Sequence, residues 1–219
     1  MEQTIIFAAE MIGTVAFASS GAMLGIRKNL DIFGVIVLGL CVAVGGGIVR
    51  DIILGRTPPG AFSTPSYALV ALVTSVALFL LIYMKQELLH SRYLQMYEMI
   101  MTYCDAVGLG VFTVIGVYTG YSAGYRGTFF LLFLGVLTGI GGGIIRDVLA
   151  DTMPFILHEQ VYAVAALAGG LVCVLLIGYH LYLAMAVGAV IIIAIRLLAN
   201  HFNWNLPKPL RKGERHDEE

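Results

Sequence analysis

Long apolar runs broken by short polar segments pattern the chain from residue 5 to residue 198. A helix needs about 20 residues to cross the hydrocarbon layer of a bilayer. Seven runs approach that length, at 5–24, 33–54, 67–84, 99–119, 128–150, 160–178 and 180–198. Several carry Gly, Ser, Thr or Tyr, as helices packed in a bundle do. The last two meet in a short turn from Gly178 to His180, and a single broken helix there would reduce the count to six. The expected fold is an all-α integral membrane protein with seven transmembrane helices.

The pattern is duplicated. Gly45-Gly46-Gly47-Ile48-Val49-Arg50-Asp51 returns 96 residues later as Gly141-Gly142-Gly143-Ile144-Ile145-Arg146-Asp147. Ten identities link the 27 positions 33–59 with 129–155, without a gap, which is far more than shared composition supplies. Upstream, with the offset reduced by one, Gly13, Phe17 and Gly21 meet Gly108, Phe112 and Gly116, and Glu10 meets Asp105. Each copy holds three spans. An odd number of crossings makes the second copy enter the membrane from the opposite face, which is an inverted repeat of two three-helix bundles. The organisation is then residues 1–84 for the first bundle, 85–98 for a linker, 99–178 for the second bundle, 180–198 for a seventh helix outside the duplication, and 199–219 for a polar tail.

Composition agrees. Charged residues make up 12% of the chain and hydrophobic residues 59%, with a mean hydropathy of +0.89; a soluble domain carries about 25% charge. The net charge of -1 and the lack of a basic, aromatic-rich patch argue against nucleic acid as a partner. Cys41, Cys104 and Cys173 lie in separate spans without the spacing of a redox pair or a zinc site, and the five histidines form no cluster. No metal or cofactor is expected. Met1-Glu2-Gln3-Thr4 has neither a basic stretch nor a cleavage site, so the first run reads as a retained span.

Basic residues orient the chain. With seven spans, one side holds Arg27, Lys28, Lys85, Arg92, Lys208, Arg211, Lys212 and Arg215, against Arg56 and Arg126 on the other. The positive-inside rule then places the N-terminus outside and the C-terminus in the cytoplasm of a prokaryotic inner membrane, with Trp204 as an interfacial anchor.

The glycine motifs carry the candidate chemistry. Small residues permit close helix contact, yet three consecutive glycines wrap around most of a helix, so one packed face does not account for them. A bend or a short unwound stretch is expected in the second and fifth spans, where freed backbone groups face protein or a watered path. The half-helix after each triplet would offer N–H groups to an anion, and the half-helix before it would offer carbonyls to a cation. Arg50 and Asp51, like Arg146 and Asp147, diverge by about 100° around the helix. They are expected to reach across to the other copy or to Glu10 and Asp105; an interfacial pair snorkelling to headgroups is the plainer alternative. Thr14, Ser19, Ser20, Thr102, Thr113 and Thr138 could add hydroxyls, each with its own helix carbonyl as a competing partner. The triplets lack the Gly-Lys-Ser/Thr ending of a phosphate loop, and no nucleophile–base arrangement marks an enzyme.

On these residues, together with Pro58 and Pro154 and the stretch from Asp105 to Phe112, the chain resembles the prokaryotic trimeric intracellular cation (TRIC) channel family, whose bacterial relatives are also described as glycine transporters. The resemblance implies a homotrimer in membrane lipid with one hourglass path per protomer, helices 2 and 5 kinked at their glycines, and passage of potassium and other monovalent cations. Gly45, Gly46, Gly47, Gly141, Gly142 and Gly143 would flank the constriction. Arg50, Asp51, Arg146, Asp147, Glu10, Asp105, Thr14 and Thr138 complete the expected path. The lysine-centred lipid motif of animal members is absent. The alternative on the same architecture is a secondary transporter of a small zwitterion such as glycine.

Overall fold

The computed structural model describes residues 2–84, 91–158, 161–202 and 204. Helices α1 (Glu2–Arg27), α2 (Ile32–Ile53) and α4 (Pro65–Met84) form the first bundle, with a one-turn helix α3 (Gly60–Ser63) in the loop after α2. Helices α5 (Ser91–Ser122), α6 (Thr128–Leu149) and α8 (Val161–Leu176) form the second, with α7 (Phe155–His158) in the matching loop. Helix α9 (Leu181–His201) packs on α8 and α5, against the second bundle. Six of these helices are long and apolar enough to cross a membrane; α8, at 16 residues, is shorter. The last two spans are separate helices lying against each other, since an added Cβ at Gly169 would sit 2.5 Å from the Gly188 carbonyl oxygen. Helix α5 starts at Ser91, so residues 91–98 of the expected linker are helical; residues 85–90, and the tail apart from 199–202 and Trp204, lie outside the described residues.

The duplication in sequence is a duplication in packing. The two bundles meet along α1 against α5 and α2 against α6. Phe17 and Phe112 pack across this junction with ring centroids 5.1 Å apart and planes tilted by 36°. Gly13 and Gly108 make room for them, because a Cβ at either would press on the partner's ring. Gly21 lies on the Gly39 backbone of α2 as Gly116 lies on that of Gly135 in α6. Both repeats also end their second span alike. Gly55 and Asp151 turn left-handed with φ of +69° and +51°, and the next residues, Arg56 and Thr152, donate back to the Asp51 and Asp147 carbonyls at 2.8 Å, a helix stop of the Schellman type. Outward positions such as Phe33 and Phe129 remain exposed at 71% and 84%, as lipid-facing side chains must.

The glycine triplets sit where α2 crosses α6. Of the two backbone forms expected there, unwinding does not occur: both helices are continuous through their triplets. A Cβ at Gly46 would overlap the Thr138 carbonyl oxygen, and one at Gly142 would lie 2.5 Å from the Val42 carbonyl oxygen. Backbone therefore rests on backbone at the crossing, a separation that only glycine permits.

Candidate functional site

Around the crossing, each repeat assembles an acid, a tyrosine and an Arg-Asp pair from three helices. In the first, α2 presents Arg50 and Asp51, α1 presents Glu10 and α4 presents Tyr67. Arg50 Nε donates to Asp51 Oδ1 at 2.9 Å, and Asp51 Oδ2 accepts the Gly60 N–H at 2.8 Å. The Tyr67 hydroxyl donates to Glu10 Oε2. In the second, Arg146 Nε donates to Asp147 Oδ1 at 2.8 Å, and Asp147 Oδ2 accepts the Phe155 N–H at 2.9 Å. The expectation that neighbouring Arg and Asp diverge too far to pair is therefore corrected in both copies. The arginine side chain is long enough to fold back over the intervening 100°, and each aspartate uses its second oxygen to tie down the proline-containing loop.

The two copies differ in what the arginine does next. Arg50 borders a cavity of about 400 Å³ whose walls include Glu10, Thr14, Gly47, Asp51, Arg56, Tyr67 and Thr119. A second hollow, of about 580 Å³, shares Glu10, Thr64, Tyr67 and Tyr118 with it and continues towards Gln3. Arg146 instead is 0% exposed. Its Nη1 donates at 2.5 Å both to Asp105 Oδ1 and to Ser20 Oγ of the other bundle, and its guanidinium lies 4.5 Å from the centre of the Phe155 ring. A carboxylate and a guanidinium removed from water need each other and further hydrogen bonds; this cluster provides most of them and leaves Asp105 Oδ2 and Arg146 Nη2 buried without a protein hydrogen-bond partner. Asp105, like Arg146, is 0% exposed.

The third glycine of each triplet marks the same contrast. Gly47 faces the cavity, where an added Cβ would find only Arg50 Nη2, at 3.8 Å. Its counterpart Gly143 faces filled space, with the Tyr162 hydroxyl 2.9 Å and Asp105 Oδ1 3.8 Å from an added Cβ. Gly45 packs against Ile145, and Gly141 lies on Gly46. Thr14 is on the cavity wall, whereas the Thr138 hydroxyl donates to the Leu134 carbonyl of its own helix at 2.6 Å.

Four participants escaped the sequence reading. Tyr67 and Tyr162 stand 95 residues apart, the same offset that relates Glu10 to Asp105, so extending the repeat into the third and sixth spans finds both. Arg56 follows the first motif by five positions and joins its cavity. Arg196 is the basic residue inside α9, a helix of mean hydropathy 2.5. A charge at that depth is a functional candidate by default.

Fold and site together define an integral membrane protein of the inverted-repeat class, with a matched charged cluster after each of the two glycine triplets that meet at the α2–α6 crossing. A family described as Glycine transporter matches twice, over residues 7–83 and 102–178, once for each bundle. The chain is 37% identical over 206 residues to the UPF0126 inner membrane protein YadS of Escherichia coli, covering 93% of this chain and 95% of that one. A prokaryotic TRIC channel crystallised in 0.5 M KCl superposes with a TM-score of 0.84 at 32% identity, over 93% of this chain and 100% of that one. The TRIC trimeric intracellular cation channel orthologue from Rhodobacter sphaeroides gives a TM-score of 0.81 at 32% identity, with 92% and 100% covered. The chain belongs to the prokaryotic TRIC family.

Proposed function

We propose that this chain is a potassium-preferring monovalent cation channel, a homotrimer with one path in each protomer, held in the prokaryotic inner membrane with its C-terminus in the cytoplasm. The observation that carries this reading is the cavity that enters the first bundle and reaches Gly47 at the crossing, with the Glu10 carboxylate in its wall. Solved relatives of the same fold are TRIC cation channels. Glu10, Tyr67, Thr14 and Thr119 supply oxygen donors of low total charge. Weak oxygen donors suit a monovalent ion that must leave as readily as it enters, whereas a divalent cation draws several carboxylates. With the charge bias of eight basic residues against two, the Arg50 cavity faces outwards. The Arg146–Asp105 cluster then seals the cytoplasmic half. No chemical step is assigned to any residue.

A second reading rests on one feature of the cavity: Glu10 shares it with Arg50 and Arg56, opposite charges that a small zwitterion such as glycine could bridge. Purified protein in liposomes decides between them. Unitary potassium currents support the channel. Saturable uptake of labelled glycine without such currents replaces it with a carrier.

A further inference from the structure

Helix α9 has no counterpart in the duplication, yet it reaches the second charged cluster and not the first. Arg196 is 2% exposed and places its guanidinium 4.6 Å from the centre of the Tyr162 ring. Tyr162 in turn meets Phe155 edge-on at 6.4 Å, and Phe155 is the ring that covers Arg146. A desolvated guanidinium over a tyrosine face is a strong cation–π contact, and it fixes the ring's position.

Among the described residues no guanidinium lies over the ring of the matched tyrosine, which behaves differently. Tyr67 donates its hydroxyl to Glu10, and there the arginine of the motif leaves the acid to the tyrosine and borders a cavity. In the second copy the acid belongs to the arginine instead. The Tyr162 hydroxyl lies beside Asp105 and interacts with it, yet the hydroxyl and Asp105 Oδ2 are both buried without a well-aligned hydrogen bond to protein. The protein thus displays both pairings of one acid: tyrosine-bound beside open space, arginine-bound in a sealed cluster.

The geometry points to Arg196 as a positioning residue that locks the cytoplasmic half closed by keeping the Tyr162 hydroxyl, which lies beside Asp105, out of hydrogen-bonding alignment with it. Opening is a partner exchange. Tyr162 takes Asp105 as Tyr67 takes Glu10, and Arg146, released from Asp105, keeps Asp147. No charge is created or lost in the exchange. The assignment rests on the channel reading for its flux consequence, and on the repeat symmetry for its structural one.

The test is Arg196→Met in the full-length protein, recorded in planar bilayers with potassium. Losing one buried cation–π contact is expected to raise open probability about tenfold without altering unitary conductance. Arg196→Lys, which keeps the charge but lacks the planar face, should give a smaller rise, about threefold, and serves if the methionine variant does not fold. Adding Tyr162→Phe to either variant removes the hydroxyl that replaces Arg146, so open probability should fall back towards that of the parent protein. A merely structural role for Arg196 would not be reversed by deleting one oxygen. Parent-level gating in both Arg196 variants, or a rise that persists with phenylalanine at 162, overturns the lock. A crystal structure of Arg196→Met reads the exchange without any current. Tyr162 bonded to Asp105 supports it, and Arg146 still on Asp105 refutes it, even if the absence of potassium current in the parent protein had by then refuted the channel.

Discussion

Replacing the neighbouring glycines Gly46 and Gly47 by alanine, one at a time, separates the crossing from the path. Both lie in the same turn of α2, and each change gains about 1 kcal/mol of helix propensity. What the new methyl group meets is opposite. At Gly46 it overlaps the Thr138 carbonyl oxygen and lies 3.3 Å from the Gly142 nitrogen. These are backbone atoms of α6, so no rotamer change relieves the contact and α2 must move off α6. Overpacking of this kind costs about 1–3 kcal/mol, and a backbone clash belongs at the upper end. At Gly47 the nearest atom is Arg50 Nη2 at 3.8 Å, the mobile end of a long side chain. The variants should therefore differ by about 3 kcal/mol, or roughly 10 °C in melting temperature at ~2–4 °C per kcal/mol. Thermal unfolding in detergent, followed by size-exclusion fluorescence, measures the difference. Potassium flux should show the reverse order of interest: Gly47→Ala, as stable as the parent or more so, carries less current because its methyl group stands in the cavity. Melting temperatures within about 2 °C of each other would refute the backbone contact at the crossing.

Further outcomes follow from the contrast between the copies and from the expected assembly and topology. Glu10→Gln removes the one of the cavity's two carboxylates that is not bonded to Arg50, keeps a partner for Tyr67, and should cut potassium flux several-fold with little change in melting; unchanged flux in liposomes would remove Glu10 from the path. Arg50→Ala should alter flux at small cost in stability, because its neighbours border the cavity. Arg146→Ala leaves Asp105 and Asp147 buried without their cation and should cost about 3–5 kcal/mol; equal melting of the two variants would contradict the sealed cluster. Crosslinking in native membrane should give a trimer, and impermeant labelling of single cysteines placed in the loops after α2 and after α6 should report opposite faces. Labelling of both loops from one side would undo the inverted topology.

The duplication, the seven spans and the importance of the glycine crossings were legible because each rests on spacing along the chain. Apolar run length reports membrane thickness, and identities at an offset of 96 report a repeated unit. Pairings between helices were not legible in the same way. Helical geometry that treats a side chain as a direction makes Arg50 and Asp51 poor partners, whereas arginine has enough rotatable length to fold back. The triplets looked like breaks, but helix packing on both sides holds them helical despite their propensity. Tyr67 and Tyr162 lie in the third span of each copy, beyond the stretch where identities mark the repeat, and only their shared offset of 95 residues links them. The difference between the clusters, one beside a cavity and one sealed, has no local signature. It lies in contacts between helices distant in sequence, such as Arg146 with Ser20 and Asp105, and only the assembled helices disclose them.

The opposed orientation of the bundles also bears on rectification. A conduit made of two identical antiparallel copies would present the same electrical profile to current from either side, and its current–voltage curve would be symmetric about zero. Any preference for inward or outward current must come from positions where the copies have diverged. The copies have diverged at many positions; beside the charged clusters the contrasts include glutamate against aspartate at the acid, the added Arg56 beside one mouth, and the helix that leans on only one half.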